Sequence, residues 1–548
     1  TAAVAALPEP VEITREEAIG LVDTYDSPSD LWDKPEHNSF HRTPSPTQAP
    51  PPTPADKGNQ HMPLAPRLVI TPEQEDKPPR TLRAVLDPED ADHCANLRSF
   101  RRLLNLDLGR VSLGKFWQTF ETLRTPRLRY LTDNDVRRAF RHLSWVEHRH
   151  TENIMPRYFA LLEECIAEGI HVRTAEWNTA IVYAGRYVRY TTSKELKFAV
   201  ETWMWMERQG KSASAVTFNI LFDVAVKAGR FALADTIFQE LRARDLPLTR
   251  YFRTSVIYFA GMRGDGYAVR KAFQDLVNAG EIVDTVVMNC VIVSLVRAGE
   301  PASAENVFTR MKGLVEQKLG GADAVRGWRE RRVLGNLLYK TAAELRRGRE
   351  AHEQSFFGSS QPAAADQQRE EVQKSTSIAP DAKTYRILIQ HHAYASGDLA
   401  RIRELLAEMA DAGLHVHGSV YTHLLRGFWK HGGFAYTAWD QMALQAVWEE
   451  FTLAMSQSTK SASATASAVE DDDDFDREQS EEDRAPYFTL TLALAAIRAW
   501  YKCAGLPRML EVWQEIRSRW DKMSVDDREV VQKLVDRLVG EGNIYVVP

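Results

Sequence analysis

Cysteine is scarce: Cys94, Cys165, Cys290 and Cys503 are the only four in 548 residues. They form no C-x-x-C pair and no histidine stands at zinc-ligand spacing, which excludes a disulfide scaffold and a zinc ribbon. Reduced, mostly buried thiols of an intracellular protein are expected instead. Long apolar runs are missing too. No window approaches ~18 uninterrupted apolar residues, so no membrane-spanning helix is expected. Almost nothing alternates with period two, so strands are not expected. There is no G-x-x-x-x-G-K-[ST] phosphate loop, and the glycines of 261–266 do not follow a G-x-G-x-x-G spacing. The H-x-E…P-C-x-x-C deaminase signature is absent, and His352–Glu353 lacks the second histidine of a zinc protease. No catalytic residue, cofactor, metal or small-molecule substrate is therefore assigned, and the chain reads as no enzyme.

What is present is a helical, soluble composition, 44% hydrophobic and 26% charged. The length allows roughly three or four domains, or one long repeat array. The net charge of −6 hides an uneven distribution. Residues 470–484 carry ten acidic side chains against Arg477 and Arg484, a local −8 that leaves +2 for the rest. Residues 101–350 hold 40 Lys and Arg against 28 Asp and Glu, a net of +12. A basic body suits a polyanion partner, and the acidic run, with Asp471–Asp474, reads as a solvated spacer.

Residues 1 to about 85 hold 15 of the 25 prolines and read as a disordered extension. Its apolar islands Leu31–Trp32 and Leu68–Ile70 are the segments able to dock. Helical periodicity starts near Asp90. It breaks at 351–379, read as a linker, and at 456–485, a Ser/Ala run followed by the acidic tract, read as a disordered insertion. Between Ala215 and Met311 six columns recur every 35 residues. They are Asn219/Thr254/Asn289, Leu221/Val256/Val291, Gly229/Gly264/Gly299, Ala234/Val269/Ala304, Phe238/Phe273/Phe308 and Leu241/Leu276/Met311. A small residue, an aromatic at +4 and Leu or Met at +7 make one stripe of a helix, and the glycine ends the helix before it. Each unit is a helix–turn–helix too small to bury its stripe, so units must stack. The pattern extends to Trp177–Gly210 and 380–430, with degenerate pairs from about 95 and a last pair and capping helix over 486–548. The expected fold is all-α, a right-handed solenoid of stacked hairpins. Its clearest units are 174–214, 215–249, 250–284 and 285–319, within an array over 90–350 and with further units over 380–455.

Val-Thr-Phe-Asn at 216–219, Lys227-x-Gly229, Ala234, Phe238 and Leu241 closely resemble the pentatricopeptide repeat (PPR) consensus, as do Pro380–Asp381–x–x–Thr384–Tyr385 and Met409–x–x–x–Gly413. Tetratricopeptide repeats have a period of 34, and their Trp/Gly/Tyr/Pro columns are absent. Long insertions and a Pro-rich front look like the irregular fungal mitochondrial members. The resemblance implies single-stranded RNA binding along a concave face, one base per repeat. Its base-reading pairs join the fifth residue of a first helix to the last residue of the repeat. These are Asn178 with Ser214, Asn219 with Thr249, and Thr254 with Asp284, while Asn289 opens a fourth. The sandwiching second positions are Val216, Tyr251 and Val286. Thr254/Asp284 resembles a pair favouring G, and Asn178/Ser214 a pyrimidine-reading one. In the later unit Arg386 and His417 fit no familiar pair.

The implied function is binding mitochondrial mRNA or rRNA in the matrix, controlling processing, stability or translation. The alternative is a scaffold on the mitochondrial ribosome or a respiratory-complex assembly intermediate. The chain begins at Thr1 rather than Met, so a presequence is expected to be processed or trimmed away. Other readings remain open at this level. Asn219 and Asn289 suit helix N-caps as well as base edges. The arginines at 98–141 (Arg98, Arg101, Arg102, Arg124, Arg127, Arg129 and their neighbours) and at 329–347 suit a solvated face as well as phosphate. Trp203, Trp205, Trp429 and Trp448 read as core rather than stacking platforms. The histidine pairs at 148–150, 391–392 and 415–417 lack partner ligands and read as surface residues.

Overall fold

The computed structural model describes residues 15–22, 90–106, 112–145, 154–186, 191–319, 373, 378–466, 486–520 and 523–544. Among these no strand occurs. The helices are α1 (Arg15–Gly20), α2 (Ala91–Leu104), α3 (Leu113–Glu121), α4 (Asp133–Trp145), α5 (Ile154–Ala167), α6 (Thr174–Arg186), α7 (Ser193–Arg208), α8 (Ala215–Lys227), α9 (Phe231–Ala243), α10 (Arg250–Met262), α11 (Gly266–Asn278), α12 (Thr285–Arg297) and α13 (Pro301–Leu319). After them come α14 (Ala382–His391), α15 (Leu399–Asp411), α16 (Gly418–His431), α17 (Gln441–Ala466), α18 (Leu490–Arg519, broken at Gly505) and α19 (Val525–Ile544). Two compact units result, residues 26–255 and residues 1–25 with 256–548.

The stride seen in the sequence is the stride of the helices. First helices begin at Ala215, Arg250 and Thr285, second helices at Phe231, Gly266 and Pro301, each 35 residues apart. In the unit 26–255, α6 lies against both α7 and α8, and α2 against α3 and α4. The first helices α2 and α6 therefore meet both their own partners and the next first helices, as stacking requires. In the other unit α12 meets α13 and α14, and α16 meets α17 and α18. Ala234, Val269, Ala304, Leu241, Leu276 and Met311 are fully buried, with Phe273 and Phe308 beside them. Phe238 keeps part of its ring exposed; it packs against Phe222 and Phe252, and the Arg242 guanidinium lies 4.4 Å over it.

Polar groups stitch neighbouring second helices. Arg244 reaches Glu207 at 2.5 Å and Glu240 at 2.7 Å, with Glu207 also accepting the Ala213 amide. In the other unit Arg270, 2% exposed, donates to Glu300 and Ser303 from α11 across to α13. Buried charges persist only when paired in this way.

The columns also explain the turns. Gly229, Gly264 and Gly299 take φ of 69°, 75° and 84°, the left-handed cap that closes each first helix. A second column closes the second helices: Gly210 and Gly280 have φ of 70° and 73°, and between them stands Asp245 at 52°.

Three features depart from the expectations. Within the supposedly disordered front, α1 forms, and the adjoining Leu21 and Val22 are 2% and 3% exposed in the core of the second unit; Arg310 donates to the Gly20 carbonyl. The rest of that extension lies outside the described residues. Second, α17 runs to Ala466 through the start of the Ser/Ala run, whose alanines favour helix; residues 467–485 lie outside the described ones. Third, the linker is a true insertion within one seam. The first helix α14 starts 97 residues after α12 rather than 35, yet packs on α12 and α13 as a next hairpin would. Gln373, near the end of the linker, brackets Val283 with a bond to its amide and one to its carbonyl (2.9 and 2.7 Å), and Ile378 is fully buried. The remainder of 320–377 lies outside the described residues.

Phe273→Ala leaves a cavity under a 0%-exposed ring and is expected to cost ~3–5 kcal/mol, read as a lower urea midpoint. Asp245→Gly relieves a left-handed backbone that costs a non-glycine residue energy, and is expected to stabilise by ~0.5–1 kcal/mol. A midpoint unchanged or lowered would show that the local contacts of Asp245 outweigh its backbone strain.

Candidate nucleic-acid interface

The first turn of each first helix carries the candidate residues. Val216, Tyr251 and Val286, the second residues of α8, α10 and α12, are 44%, 48% and 54% exposed. An exposed valine alone needs no explanation. Three apolar side chains held out of the core at one helical position are a pattern, because Leu221, Ile257 and Val291 of the same helices are fully buried.

The last residue of each repeat is the N-cap of the next first helix. Ser214 accepts the Thr217 amide, Thr249 the Phe252 amide and Asp284 the Val287 amide. Asp381 and His417 do the same for α14 and α16. The cap role weighed for Asn219 and Asn289 thus belongs in their helices to Ser214 and Asp284, the closing members of the preceding pairs, and both asparagines lie one turn inside.

The asparagines are tied to the next hairpin. Thr217 donates to Asn178 Oδ1 at 2.7 Å and also meets Ser214, so the pair Asn178/Ser214 is joined through one buried hydroxyl. Asn219 Oδ1 accepts from Ser255 at 3.2 Å. Both amides are half-exposed, and their NH2 groups have no hydrogen-bond partner among the described residues. Thr254 bonds back to the Arg250 carbonyl of its own helix. Asn289 differs. It is 3% exposed, donates to Asp381 at 3.0 Å and accepts from Thr384 at 2.6 Å, so its amide is closed off inside the seam between α12 and α14. The linking threonines, Thr217 and Thr384, stand in the motifs quoted from the sequence but had no role assigned there; both lie two residues before a fifth position.

Elsewhere most candidates have structural roles. In the arginine-rich stretch, Arg101 pairs with Asp135, Arg124 with Asp90, Arg127 with Glu164 and Arg129 with Glu168; the cluster at 329–347 lies outside the described residues. Trp203 and Trp448 are buried and Trp205 packs edge-on against Trp177, whereas Trp429 is 47% exposed. His392 bonds Glu305, and no cluster of three metal-type ligands occurs among the described residues. Around Arg386, His423 hydrogen-bonds the Tyr394 hydroxyl. Burial, then the charges of Arg386 and Arg426, push the His423 pKa down to about 4, so the ring is neutral at pH 7.

The family model described as PPR repeat matches residues 216–246 and 286–314, so the chain carries pentatricopeptide repeats. No curated protein matches it significantly. Among solved structures, the pentatricopeptide repeat protein PPR10 in complex with an 18-nt psaJ RNA element aligns at 15% identity over 84% of this chain and 75% of that one, TM-score 0.28. PPR10 from maize aligns at 14% identity over 84% and 77%, TM-score 0.21. Such scores carry no weight beside the repeats themselves.

Asn289→Ala strands buried partners on Asp381 and Thr384 and is expected to cost ~1–3 kcal/mol. Asp284→Ala, which removes a cap, is expected to cost ~0.5–2 kcal/mol. Asn219→Ala should move the urea midpoint least of the three, and equal losses at 219 and 289 would contradict this division of labour.

Proposed function

We propose that this chain, which carries pentatricopeptide repeats, binds single-stranded RNA and acts as a passive sleeve that controls processing, stability or translation of transcripts in the mitochondrial matrix. The observation behind it is the exposure of the second positions, Val216 and Tyr251 in one unit and Val286 in the other, together with the amides of the first of these units whose NH2 groups are unused at Asn178 and Asn219. An unstacked base sandwiched between such apolar side chains presents its Watson–Crick edge to the amide. An NH2 donor suits a ring carbonyl or an unprotonated ring nitrogen on that edge. The capping residues Ser214, Thr249 and Asp284 hold the adjacent backbone, so a base contact there is made by a side chain already fixed in place.

A second reading has its own support. The closure of Asn289 and the internal pairing of Arg101, Arg124, Arg127 and Arg129 reduce the groups left for RNA, which favours a scaffold working through protein contacts.

Binding of the purified chain to pooled mitochondrial transcripts, followed across salt, separates the two. An RNA sleeve using several phosphate contacts should lose ~10-fold or more between ~50 and ~200 mM salt. Asn219→Ala with Thr254→Ala should weaken binding with little change in melting temperature. No binding at any salt would leave the scaffold standing. Protease protection of the full-length protein in purified mitochondria checks the matrix location.

A further inference from the structure

The second unit carries a surface that the repeat pairs do not use. Helix α16 and the first part of α18 pack together and start 72 residues apart, at Gly418 and Leu490. That offset places Arg426 level with Arg498 and Lys430 level with Lys502 on adjacent helices. Lys502 donates to the carbonyls of Trp429 and Lys430 at 2.8 and 3.1 Å, which ties the two helices together.

Over these cations lie aromatic rings that the core does not take. The Arg498 guanidinium sits 5.1 Å from the Trp429 ring, and Lys502 Nζ lies 4.7 Å from the Phe434 ring. Trp429 is 47% exposed, Phe434 66%, and Tyr436, two residues further, is fully exposed. Tyr436 also holds a left-handed φ of 62°, uncommon for a bulky residue. The loop between α16 and α17 is pinned from beneath, not loose. Trp439 is 2% exposed, donates its ring N–H to the Gly397 carbonyl at 2.7 Å and packs edge-on against Phe428; Thr437 bonds the His431 carbonyl. A pinned loop that spends backbone strain to hold aromatic rings in water suggests a binding role for them.

The charge on the two segments that carry the rings and cations is of one sign. No Asp or Glu occurs from Ala412 to Trp439 or from Ala485 to Leu510. Asp440, which ends the first stretch, is occupied as the cap that accepts the Ala443 amide. Flat exposed rings interleaved with Lys and Arg, with no carboxylate among them, complement an unpaired polynucleotide: rings for bases, cations for phosphates.

We propose that Trp429, Phe434 and Tyr436, with Arg498 and Lys502, form a stacking subsite that takes nucleotides of a single-stranded RNA without choosing among bases. The assignment rests on the RNA reading above and adds to it a second mode of contact. Ring stacking accepts any base, because every base offers a flat face, whereas the amides of the repeats distinguish one edge from another.

The test uses the full chain and two probes, oligouridine and oligoadenosine, with 2-aminopurine placed along each. Trp429→Ala with Tyr436→Ala should weaken both probes by roughly tenfold or more and by similar factors, and should abolish 2-aminopurine quenching at one stretch of positions. Tyr436→Phe should keep wild-type affinity, since stacking needs the ring and not the hydroxyl. Arg498→Ala with Lys502→Ala should lower the salt slope by ~1–2. Because Tyr436 is fully exposed, Tyr436→Ala alone provides a variant whose fold is not at risk, read against its unfolding midpoint. If wild type binds RNA and these variants bind it equally well, the subsite is overturned and the patch faces a protein. Wild type that binds neither probe nor pooled transcripts overturns the RNA reading and the subsite with it.

Discussion

A helical hairpin of this length has an apolar stripe that only another hairpin can cover, and the rest of the structure follows from that need. The second helices α9, α11 and α13 each contribute Ala or Val, then Phe, then Leu or Met, and all of these but the partly exposed Phe238 are buried as the hairpins stack. Burial of a Phe or Leu is worth roughly 1.5–3 kcal/mol, so a stripe of three repeated at a fixed stride fixes the register of the whole array. Once register is fixed, side chains at one helical position recur at one spacing. The exposed second positions and the half-exposed asparagines inherit their regularity from the buried columns.

The same constraint explains the tolerance for insertions. A long excursion between α13 and α14 does not disturb stacking, because α14 needs only the exposed stripe of the preceding hairpin, and loop closure grows slowly with length. The return is secured on both sides of the seam. Gln373 clamps Val283, Thr285 bonds the Ala379 carbonyl, and Asn289 joins Asp381 and Thr384. The column position occupied by Asn289 serves this closure. Where Asn178 leaves its NH2 unused, Asn289 commits both ends of its amide to holding the interrupted array together.

The fold was legible because its signal is apolar and periodic. The glycine, Phe and Leu/Met columns needed only counting, and helix starts at 215, 250 and 285 confirm the stride. Polar roles were harder to read, for a physical reason. A serine, threonine or aspartate before a helix can cap it or meet a ligand with the same atoms, and spacing does not separate the two uses. Ser214, Thr249 and Asp284 turned out to cap, while the asparagines, which suit caps by type, lie inside the helices. Arginine clusters were ambiguous likewise: their carboxylate partners come from distant positions, as Asp135 does for Arg101 and Glu168 for Arg129. The docking of Leu21 and Val22 was hidden by the prolines around them, since composition averages over a segment and two buried residues do not shift the average.

Trp429 shows the converse limit. At helical spacing a tryptophan is usually core, and Trp203 and Trp448 obey that rule. Trp429 lies in the same kind of pattern, one residue after the buried Phe428, so its side chain turns away from the stripe and meets Arg498. What distinguishes it is not its own neighbours in sequence but the absence of acidic residues on α16 and on α18 as far as Leu510, brought together by stacking and starting 72 positions apart. Regular stacking therefore does two separate things here: it repeats a half-exposed amide at the fifth position of α6 and α8, Asn178 and Asn219, and it gathers cations and rings from distant segments of the second unit onto one surface.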